Sequence, residues 1–462
     1  MSSSRFAEPG TVRRVGWRAR GHRRFGHTRA APRGRRADGP HRLGHGSGLG
    51  GREGVERGAG AAFSCSGGAL FSALALLLVT SVTGGGALAA DPLEIDIVRL
   101  TRDIEPLEPL SLLDEAIEDE GLAGAELGLQ DNATTGGFLG HEYRLENVRL
   151  GEDESLEERV RSLAAEGRSL FLLDLEAEDV VRAAEAAPEA LMLNVRARDD
   201  ALRNESCRAN VLHVTPSRAM LADALAQYLL WKRWGRVVIV TGRHPEDAAY
   251  AAALERAAER YQLDVVDRRD WSSVPGARRT DSGHHSAQQE IPAFARFDEH
   301  DLVLVADERD EFGEYFPYRT ERARPVAGTQ GLVPTAWHRA HEQWGGTQIQ
   351  RRFEALAGRD MTPRDYAHWT AMRALGEAVT QTSSNEAGAL REFLLSERLT
   401  LAAFKGVPLS FRTWNGQLRQ PVLLAGPRML VSVSPQDGFL HERTELDTLG
   451  YDEPESGCER FR

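Results

Sequence analysis

Apolar and polar positions along the chain predict strands and helices in turn. Apolar or alternating runs predict four strands, at Leu93 to Leu100, His141 to Leu150, Ser169 to Leu175 and Ala190 to Val195. Apolar residues at helical spacing predict helices between them, at Pro109 to Glu126, Ser155 to Ala165 and Glu178 to Ala186. Short apolar strands separated by helices indicate a parallel sheet covered on both faces, which forms a first lobe.

A second run of the same kind follows residue 215. It predicts helices at Ser217 to Trp234 and Pro245 to Tyr261, and strands at Arg236 to Thr241, Leu263 to Val266, Asp301 to Ala306 and Pro325 to Gly328. The polar stretch from Trp271 to Gln289 is interpreted as a mobile surface loop. The predicted fold class is therefore α/β, with two doubly wound parallel-sheet lobes.

The last third of the chain does not continue the alternation of strands and helices. It predicts helices at Thr347 to Gly358, Pro363 to Gln381 and Glu386 to Ser396, then a hairpin at Asn415-Gly416. This block suggests that the chain re-enters the first lobe, so the lobes are joined by a multi-strand hinge. The predicted domains are a first lobe of residues 91–213 and 332–408, a second lobe of residues 214–331 and 409–455, and a tail of residues 456–462.

The region before Asp91 has the pattern of an export signal. Gly58 to Ala90 is uncharged, and its apolar run, Ala69 to Val82, is shorter than the roughly 20 residues that span a bilayer as a helix. Small residues then predict cleavage near Ala89 or Ala90. We expect a signal peptide at 58–90 and a periplasmic protein, with an uncleaved membrane anchor as the alternative.

Residues 1–57 form a basic, Gly-rich leader that cannot bury a core. It is interpreted as disordered or as lying upstream of the true translation start, while a basic arm or a twin-arginine signal at Arg23-Arg24 is the alternative. Residues 1–60 carry 14 Arg, no Lys and four acidic residues, so the rest of the chain is more acidic than the overall net charge of -12. This acidity argues against nucleic acid as a partner.

Two cysteines remain after the signal, Cys207 and Cys458. In an oxidising export compartment they are a plausible disulfide that would hold the C-terminal tail, with two unpaired thiols as the alternative.

The sequence carries none of the common enzyme motifs: no GxGxxG after a strand, no phosphate-binding loop, no GxSxG elbow and no HExxH helix. No enzyme activity, cofactor or metal is therefore expected. His338 and His341 could share a helix face and bind a metal, but they are interpreted as surface or capping histidines. The aromatic residues around Phe312 either pack in the core or cover a ligand.

A polar cluster, Asn194 to Asp200, follows an apolar strand of the first lobe. Ligands of open parallel sheets bind at the carboxyl ends of the strands. The arginines of this cluster could recognise a carboxylate or another oxyanion, although a solvated loop is an equal alternative. Polar residues follow two strands of the second lobe as well, at Gly242 to Asp247 and Asp307 to Asp310, so two polar rims face each other across the hinge.

In its order of elements the chain resembles the periplasmic solute-binding proteins of ABC transporters, of the type that includes branched-chain amino acid receptors. The resemblance rests on Asp131 to Gly136 after the first predicted helix, on Arg236 to Tyr250, on Asp301 to Glu314 and on the Asn415-Gly416 hairpin. More narrowly, it is similar to the subfamily associated with pyrroloquinoline quinone-dependent alcohol dehydrogenase systems. That narrower likeness is carried by Asp131 to Phe138, Ser217 to Trp234 and the tail ending in Cys458.

The resemblance implies a ligand cleft whose residues differ from those that bind the ligand in the amino acid receptors. Tyr250 matches an aromatic residue that covers the ligand, and Asp307 to Phe312 falls where another aromatic lies. Asp174 to Glu176 and Asn194 to Asp199 replace the small residues that hold an amino acid carboxylate. The acidic residue that would hold an ammonium group falls near Thr329 to Gly331, a stretch that has no carboxylate. The ligand is therefore expected not to be an amino acid. The residues expected at the cleft are Asn194, Arg196, Arg198, Asp199, Tyr250, Asp307, Phe312 and Gln330.

These observations predict the substrate-binding component of an ABC transporter, which captures a small solute between two closing lobes. Its expected partners are the solute and a permease in the inner membrane, and it is expected to be a monomer. A ligand-sensing or accessory periplasmic protein without transport is the main alternative, and a hydrolase that uses cleft carboxylates is another.

Overall fold

The computed structural model describes residues 92–102, 117–151, 153–272 and 289–461, and all of them belong to one compact unit, Gly85–Arg462. The leader, the predicted signal peptide and most of the polar loop after Trp271 lie outside these residues. Within the described part of the chain, no helix has both the length and the hydropathy to cross a membrane.

The first sheet has five parallel strands in the order β2-β1-β3-β4-β5. They are β1 Leu93–Arg102, β2 His141–Leu150, β3 Leu170–Asp174, β4 Leu191–Asn194 and β5 Val211–His213. Helices α1 Leu122–Leu139, α2 Leu156–Ala165 and α3 Ala177–Ala186 connect the first four strands, and a short 3₁₀ helix, Asp200–Arg203, precedes β5. Every residue of β3, β4 and β5 is buried, because helices cover both faces of this sheet.

The second sheet has four parallel strands in the order β7-β6-β8-β9. They are β6 Arg236–Thr241, β7 Asp264–Asp270, β8 Leu302–Ala306 and β9 Val326–Gly328, and the helices before and after β6 are α4 Arg218–Lys232 and α5 Pro245–Arg260. The predicted α/β class with two parallel-sheet lobes is thus confirmed.

Three chain segments connect the lobes, and they can be located from the hydrophobic cores. The first runs from Val214 in the first core to Met220 in the second, and the second runs from Leu332 back to Ala336. The third runs from Leu418 to Val422. These are the connections of a multi-strand hinge.

Short antiparallel strands accompany the hinge. β10 Val333–Thr335, β13 Val422–Gly426 and β14 Met429–Ser434 form one sheet, and β11 Ser410–Phe411 pairs with β12 Leu418–Arg419. Leu409, Phe411 and Leu418 pack in the first core, so the last crossing lies about ten residues beyond the 408/409 boundary expected from the sequence. The difference arises because the Asn415-Gly416 turn folds β12 back onto the first lobe before the chain leaves it.

Three helices return to the first lobe between the second and third crossings. They are α6 Gly346–Ala357, α7 Pro363–Thr382 and α8 Ala387–Leu394. α7 packs along α1, and a Cβ at Gly124 or Gly128 of α1 would approach α7 atoms to 2.0 or 2.5 Å. The two helices can therefore pack this closely only because these α1 positions have no side chain.

The first helix lies later in the chain than the sequence predicted. The sequence placed it at Pro109 to Glu126, with Asp131 to Gly136 as a segment after it. Residues 109–116 lie outside the described residues, but 117–121 are not helical, and α1 begins at Leu122 and contains the whole segment Asp131 to Gly136. Glycines and polar residues weaken the helical pattern here, but contact with α7 stabilises the helix in spite of its low intrinsic propensity.

A buried lysine joins two of the hinge segments. Lys405 Nζ donates hydrogen bonds to the carbonyl oxygens of Ala336 and Pro421, the latter at 3.2 Å, and it lies 5.0 Å from the Tyr366 ring centroid. Burial lowers the pKa of Lys405 to about 7.

We expect this lysine to make stability depend on pH. Above pH 7 the native lysine loses its proton, while the unfolded lysine keeps it up to its ordinary pKa of about 10.4. The unfolded state then binds more protons, so the free energy of unfolding should rise with pH between about 7 and 10. Lys405→Met should remove most of this rise in denaturant unfolding at pH 7 and pH 9. If the free energy of unfolding rose equally in the wild type and in Lys405→Met, Lys405 would not be the cause of the pH dependence.

The C-terminal segment, residues 445–461, packs against both lobes. On the second lobe, the Gly450 N–H donates to Asp223 of α4 at 2.8 Å, and its carbonyl accepts from Arg260 of α5 at 2.7 Å. On the first lobe, Cys458 is joined to Cys207 by a disulfide, as the sequence suggested, with a Cα–Cα distance of 5.7 Å. The segment is therefore attached to both lobes.

Candidate functional site

A cavity of about 730 Å³ lies between the lobes beside the hinge. The first lobe contributes 117–119, 337–339 and 359–363 to its wall, and the second contributes 330–335 and 425–427. The first of these segments leads into α1, which follows β1, and the second-lobe segment follows the carboxyl end of β9. The cavity thus lies on the side where the strands of both parallel sheets end, which is where ligands of such sheets bind.

The first-lobe wall is positioned by the start of α7. Asp365, which is fully buried, accepts hydrogen bonds from the N–H groups of Gly121 and Thr362, at 2.7 and 2.9 Å, and pairs with Arg359 at 2.6 Å. Thr362 Oγ1 accepts from the Asp365 N–H in return, which completes a capping box. One carboxylate therefore ties together the starts of α1 and α7 and the segment between α6 and α7.

The charged side chains in the wall are largely paired with one another. Arg339 pairs with Asp360 at 3.1 Å, and Arg359 pairs with Asp119 at 2.9 Å. Glu118 is exposed and makes no ion pair with a described residue.

His338 offers a neutral polar group in the same wall. Its Nδ1 accepts a hydrogen bond from the Ala340 N–H at 3.1 Å, which places the proton of the neutral ring on Nε2. Partial burial, followed by the nearby Arg339, lowers the pKa of His338, so the ring is uncharged near pH 7. Its Nε2–H has no partner among the described residues.

Metal binding by His338 and His341 gains no support from the geometry. His341 Nε2 donates to the carbonyl oxygen of Phe404 at 2.7 Å, so this ring holds a loop of the first lobe. Across the described ranges, no group of three His, Cys, Asp or Glu side chains is arranged to hold a metal ion.

Of the residues expected at the cleft, Gln330 lines the cavity. Asn194 is fully buried, and its side chain accepts from the N–H groups of Arg196 and Ala197, so it shapes the loop after β4. Arg196 pairs with Glu176 at 2.6 Å. Arg198 is exposed, and its guanidinium makes no hydrogen bond or ion pair with a described residue.

The other second-lobe candidates serve the fold. Asp307 is buried and accepts the N–H groups of Glu311, Phe312 and Gly313 at 2.6 to 2.9 Å, so its carboxylate organises the loop after β8. The Phe312 ring stacks on Trp271 with centroids 5.0 Å apart, inside the aromatic core of the second sheet. Tyr250 is buried in α5, and this burial raises the pKa of its hydroxyl.

The two polar rims meet through Arg218 of α4. Its guanidinium makes two hydrogen bonds to Glu308 of the second lobe, at 3.1 and 2.7 Å, and approaches Asp199 of the first lobe at 3.1 Å. These ion pairs raise the pKa of Arg218 in spite of its burial, so it stays charged. Part of the predicted polar rim is therefore an interlobe contact rather than free ligand-binding surface.

A second charged cluster lies at the carboxyl end of β3. Asp174 pairs with Arg99 of β1, and Arg196 and Arg364 approach its other oxygen, Oδ1, at 4.0 and 3.8 Å without a hydrogen bond. Burial lowers the pKa of the neighbouring His368 to about 4, so this ring is neutral near pH 7.

Most of the cavity wall was not expected from the sequence. Residues 359–362 and 426–427 lie in stretches that carry no periodic pattern, and 117–119 lie in a region that the sequence assigned to a helix. Only the tertiary fold brings these segments together. One usable signal was present, because Thr362-Pro363 followed by Asp365 is a helix-start pattern that fixes where α7 begins.

Solved structures share this fold. A branched-chain amino acid ABC transporter periplasmic ligand-binding protein from Burkholderia xenovorans LB400 matches with a TM-score of 0.60 and 12% identity, over 80% of this chain and 100% of that chain. A periplasmic binding protein from Burkholderia mallei matches with a TM-score of 0.57 and 14% identity, over 81% and 100%. An ABC transporter solute-binding protein from R. palustris, solved in complex with benzoate, matches with a TM-score of 0.55 and 12% identity, over 79% and 99%.

No protein-family model and no curated protein matches the sequence. At these identities the structural likeness concerns the fold, and it agrees with the resemblance found in the sequence. The chain therefore has the two-lobed fold of type I periplasmic binding proteins.

Proposed function

We propose that this protein is the periplasmic solute-binding component of an ABC uptake system. The observation that carries the proposal is the cavity between two parallel-sheet lobes that three hinge segments connect. A ligand that contacts both lobes favours the closed arrangement, and it shifts the population toward that state without any covalent step. The protein is then a receptor rather than an enzyme, and its membrane partner is a permease.

The structural neighbours support this role because they are binding proteins for small ligands of several kinds. One is described as a branched-chain amino acid ABC transporter periplasmic ligand-binding protein and another was solved with benzoate, so the fold alone does not select a ligand. The link to alcohol oxidation that depends on pyrroloquinoline quinone stays a prediction from the sequence, as do the monomeric state and the cleaved signal.

A ligand screen tests the proposal. Alcohols, short organic acids, amino acids and pyrroloquinoline quinone are added to the purified protein, and the unfolding temperature is measured. A ligand that binds the native state should raise this temperature, and it should also reduce the radius of gyration in solution scattering if the lobes close on it.

A blocking variant shows whether the response comes from the cavity. Gly426 lines the cavity, and a Cβ placed there meets no atom within 4 Å, so Gly426→Tyr can extend into the space without forcing the backbone apart. Gly388 in α8 is equally open and lies outside the cavity wall, so Gly388→Tyr is the matched control. We expect the blocking variant to lose the ligand response and the control to keep it. An unchanged response in both would place binding elsewhere.

A further inference from the structure

We infer that the cavity takes an uncharged, largely apolar small molecule that accepts a hydrogen bond from His338. This inference rests on the proposed function, because it assumes that the interlobe cavity is the ligand site. It goes further by assigning the chemical class of the ligand.

The wall of the cavity supplies apolar surface from both lobes. The side chains that provide it are Ile117, Val333, Trp337, Met361, Pro363, Ala425 and Pro427. A ligand enclosed by these residues gains free energy in proportion to the apolar area that it removes from water. The wall therefore favours an apolar body, and its volume is within the range of sites for small molecules.

The charges in the wall are matched to each other. An enclosed anion would need a buried, free cation, but Arg359 already pairs with Asp119 at 2.9 Å. Arg339, which pairs with Asp360 at 3.1 Å, is half exposed to water, so solvent screens its charge. Arg359 is also held by the buried Asp365 at 2.6 Å, so turning it toward a ligand would leave that carboxylate without its charge partner. Breaking such a pair is costly because it leaves a charge without compensation.

An enclosed zwitterion would need an unpaired partner in the wall for each of its two charges. Its carboxylate lacks a free arginine in the wall, and its ammonium group finds a free carboxylate among the described wall residues only at Glu118, which is exposed to water. A carboxylate does stand beside Gln330, but it is that of Asp310, which accepts the Gln330 amide N–H and is not part of the wall.

Because the charged side chains of the wall are largely occupied with one another, His338 is the residue that can select a polar group of the ligand. Its Nδ1 is occupied by the Ala340 N–H, so Nε2–H is the hydrogen bond donor that remains for a ligand. A neutral donor binds a hydroxyl, carbonyl or ether oxygen without any change of charge. The burial that lowers the pKa of this ring keeps it in the donor form near pH 7.

Four indole compounds of different charge test the assignment by titration calorimetry with the full-length mature protein. They are indole-3-ethanol, indole-3-acetate, tryptamine and L-tryptophan, which share one apolar body and are respectively neutral, anionic, cationic and zwitterionic. We expect indole-3-ethanol to bind at least about tenfold tighter than each of the others, because burying an unmatched charge costs more than the about 1.4 kcal/mol that this factor represents.

A histidine variant tests the hydrogen bond separately. In the wild type, indole-3-ethanol should bind about five- to tenfold tighter than 3-ethylindole, which lacks the hydroxyl, as expected for one hydrogen bond. His338→Phe should remove this difference while keeping the affinity for 3-ethylindole. His441→Phe makes the same change at a histidine outside the cavity wall and should behave as the wild type does.

The outcomes separate this inference from the proposed function. Preferential binding of indole-3-acetate, tryptamine or L-tryptophan would overturn the inference and leave the receptor function standing. A hydroxyl preference that survives in His338→Phe would overturn the role of His338. Failure of all four compounds to bind would overturn the inference, while the receptor function would still be decided by the wider screen, with Gly426→Tyr as the blocking variant and Gly388→Tyr as its control.

Discussion

Gly124→Ala is expected to lower the free energy of unfolding by about 1–3 kcal/mol, as overpacking in a tight core usually does. A Cβ at this position would stand 2.0 Å from the carbonyl oxygen of Asp365, which is backbone and cannot rotate away. The start of α7 must shift instead, and with it the carboxylate that holds Gly121, Arg359 and Thr362. Denaturant unfolding of the variant and the wild type measures the loss.

Gly137→Ala is the matched control because it makes the same change in the same helix. A Cβ there meets no atom within 4 Å, so only the gain in helix propensity acts, and stability should stay unchanged or rise by up to about 1 kcal/mol. If the two variants lost stability equally, the close approach of α1 and α7 would not be the cause. Gly124→Ala should also weaken ligand binding, since residues 359–363 belong to the cavity wall.

Cys458→Ser is expected to lower the free energy of unfolding by about 2–5 kcal/mol. The bond to Cys207 closes a loop of 251 residues, and cross-links that close long loops restrict the unfolded chain most. Cys207→Ser should have the same effect, and so should a reductant added to the wild type. The reductant should leave both variants unchanged, because Cys65, the other cysteine of the sequence, lies in the predicted signal peptide.

The cysteine variants test the disulfide separately from the packing of the C-terminal segment. The hydrogen bonds between Gly450 and α4 and α5 remain when Cys458 is replaced, so the second lobe should keep its unfolding temperature within a few degrees if it unfolds separately. Equal stability of wild type and variants under oxidising conditions would contradict a stabilising role for the disulfide.

The inner strands of both sheets were predictable because burial on two faces requires continuous apolar runs, as at Leu170–Asp174 and Leu302–Ala306. The three-residue strand β5, Val211–His213, was not among the four strands predicted for the first lobe, because it is too short to show a pattern. Helix α1 was not predictable at its true position. Its glycines weaken the apolar period, and the contact with α7 that stabilises it joins residues more than 200 positions apart, as between Asn132 and Met372. Tertiary packing decided this element against its local preference.

The candidate site was predictable in position but not in composition. The rule that ligands bind at strand ends directed attention to the side of both sheets on which the cavity lies, whereas Gln330, which lines the cavity, was selected from the family resemblance. The same rule selected Asn194 and Asp307, whose polar atoms the fold uses to cap its own loops. A sequence cannot distinguish a side chain that awaits a ligand from one that a backbone N–H already occupies, since both are polar residues after an apolar strand.

The C-terminal segment has a mechanical consequence for the hinge. It meets the first lobe near its start, where Asp447 accepts a hydrogen bond from Arg412 at 2.8 Å, and again near its end, through the disulfide of Cys458. Between these two attachments, Gly450 and Glu455 hold the second lobe through Asp223 and Arg256. The segment therefore acts as a strap between the lobes in addition to the three hinge segments. The lobes can open only as far as this strap allows while its contacts hold, so the strap limits the width of the mouth through which a solute would enter.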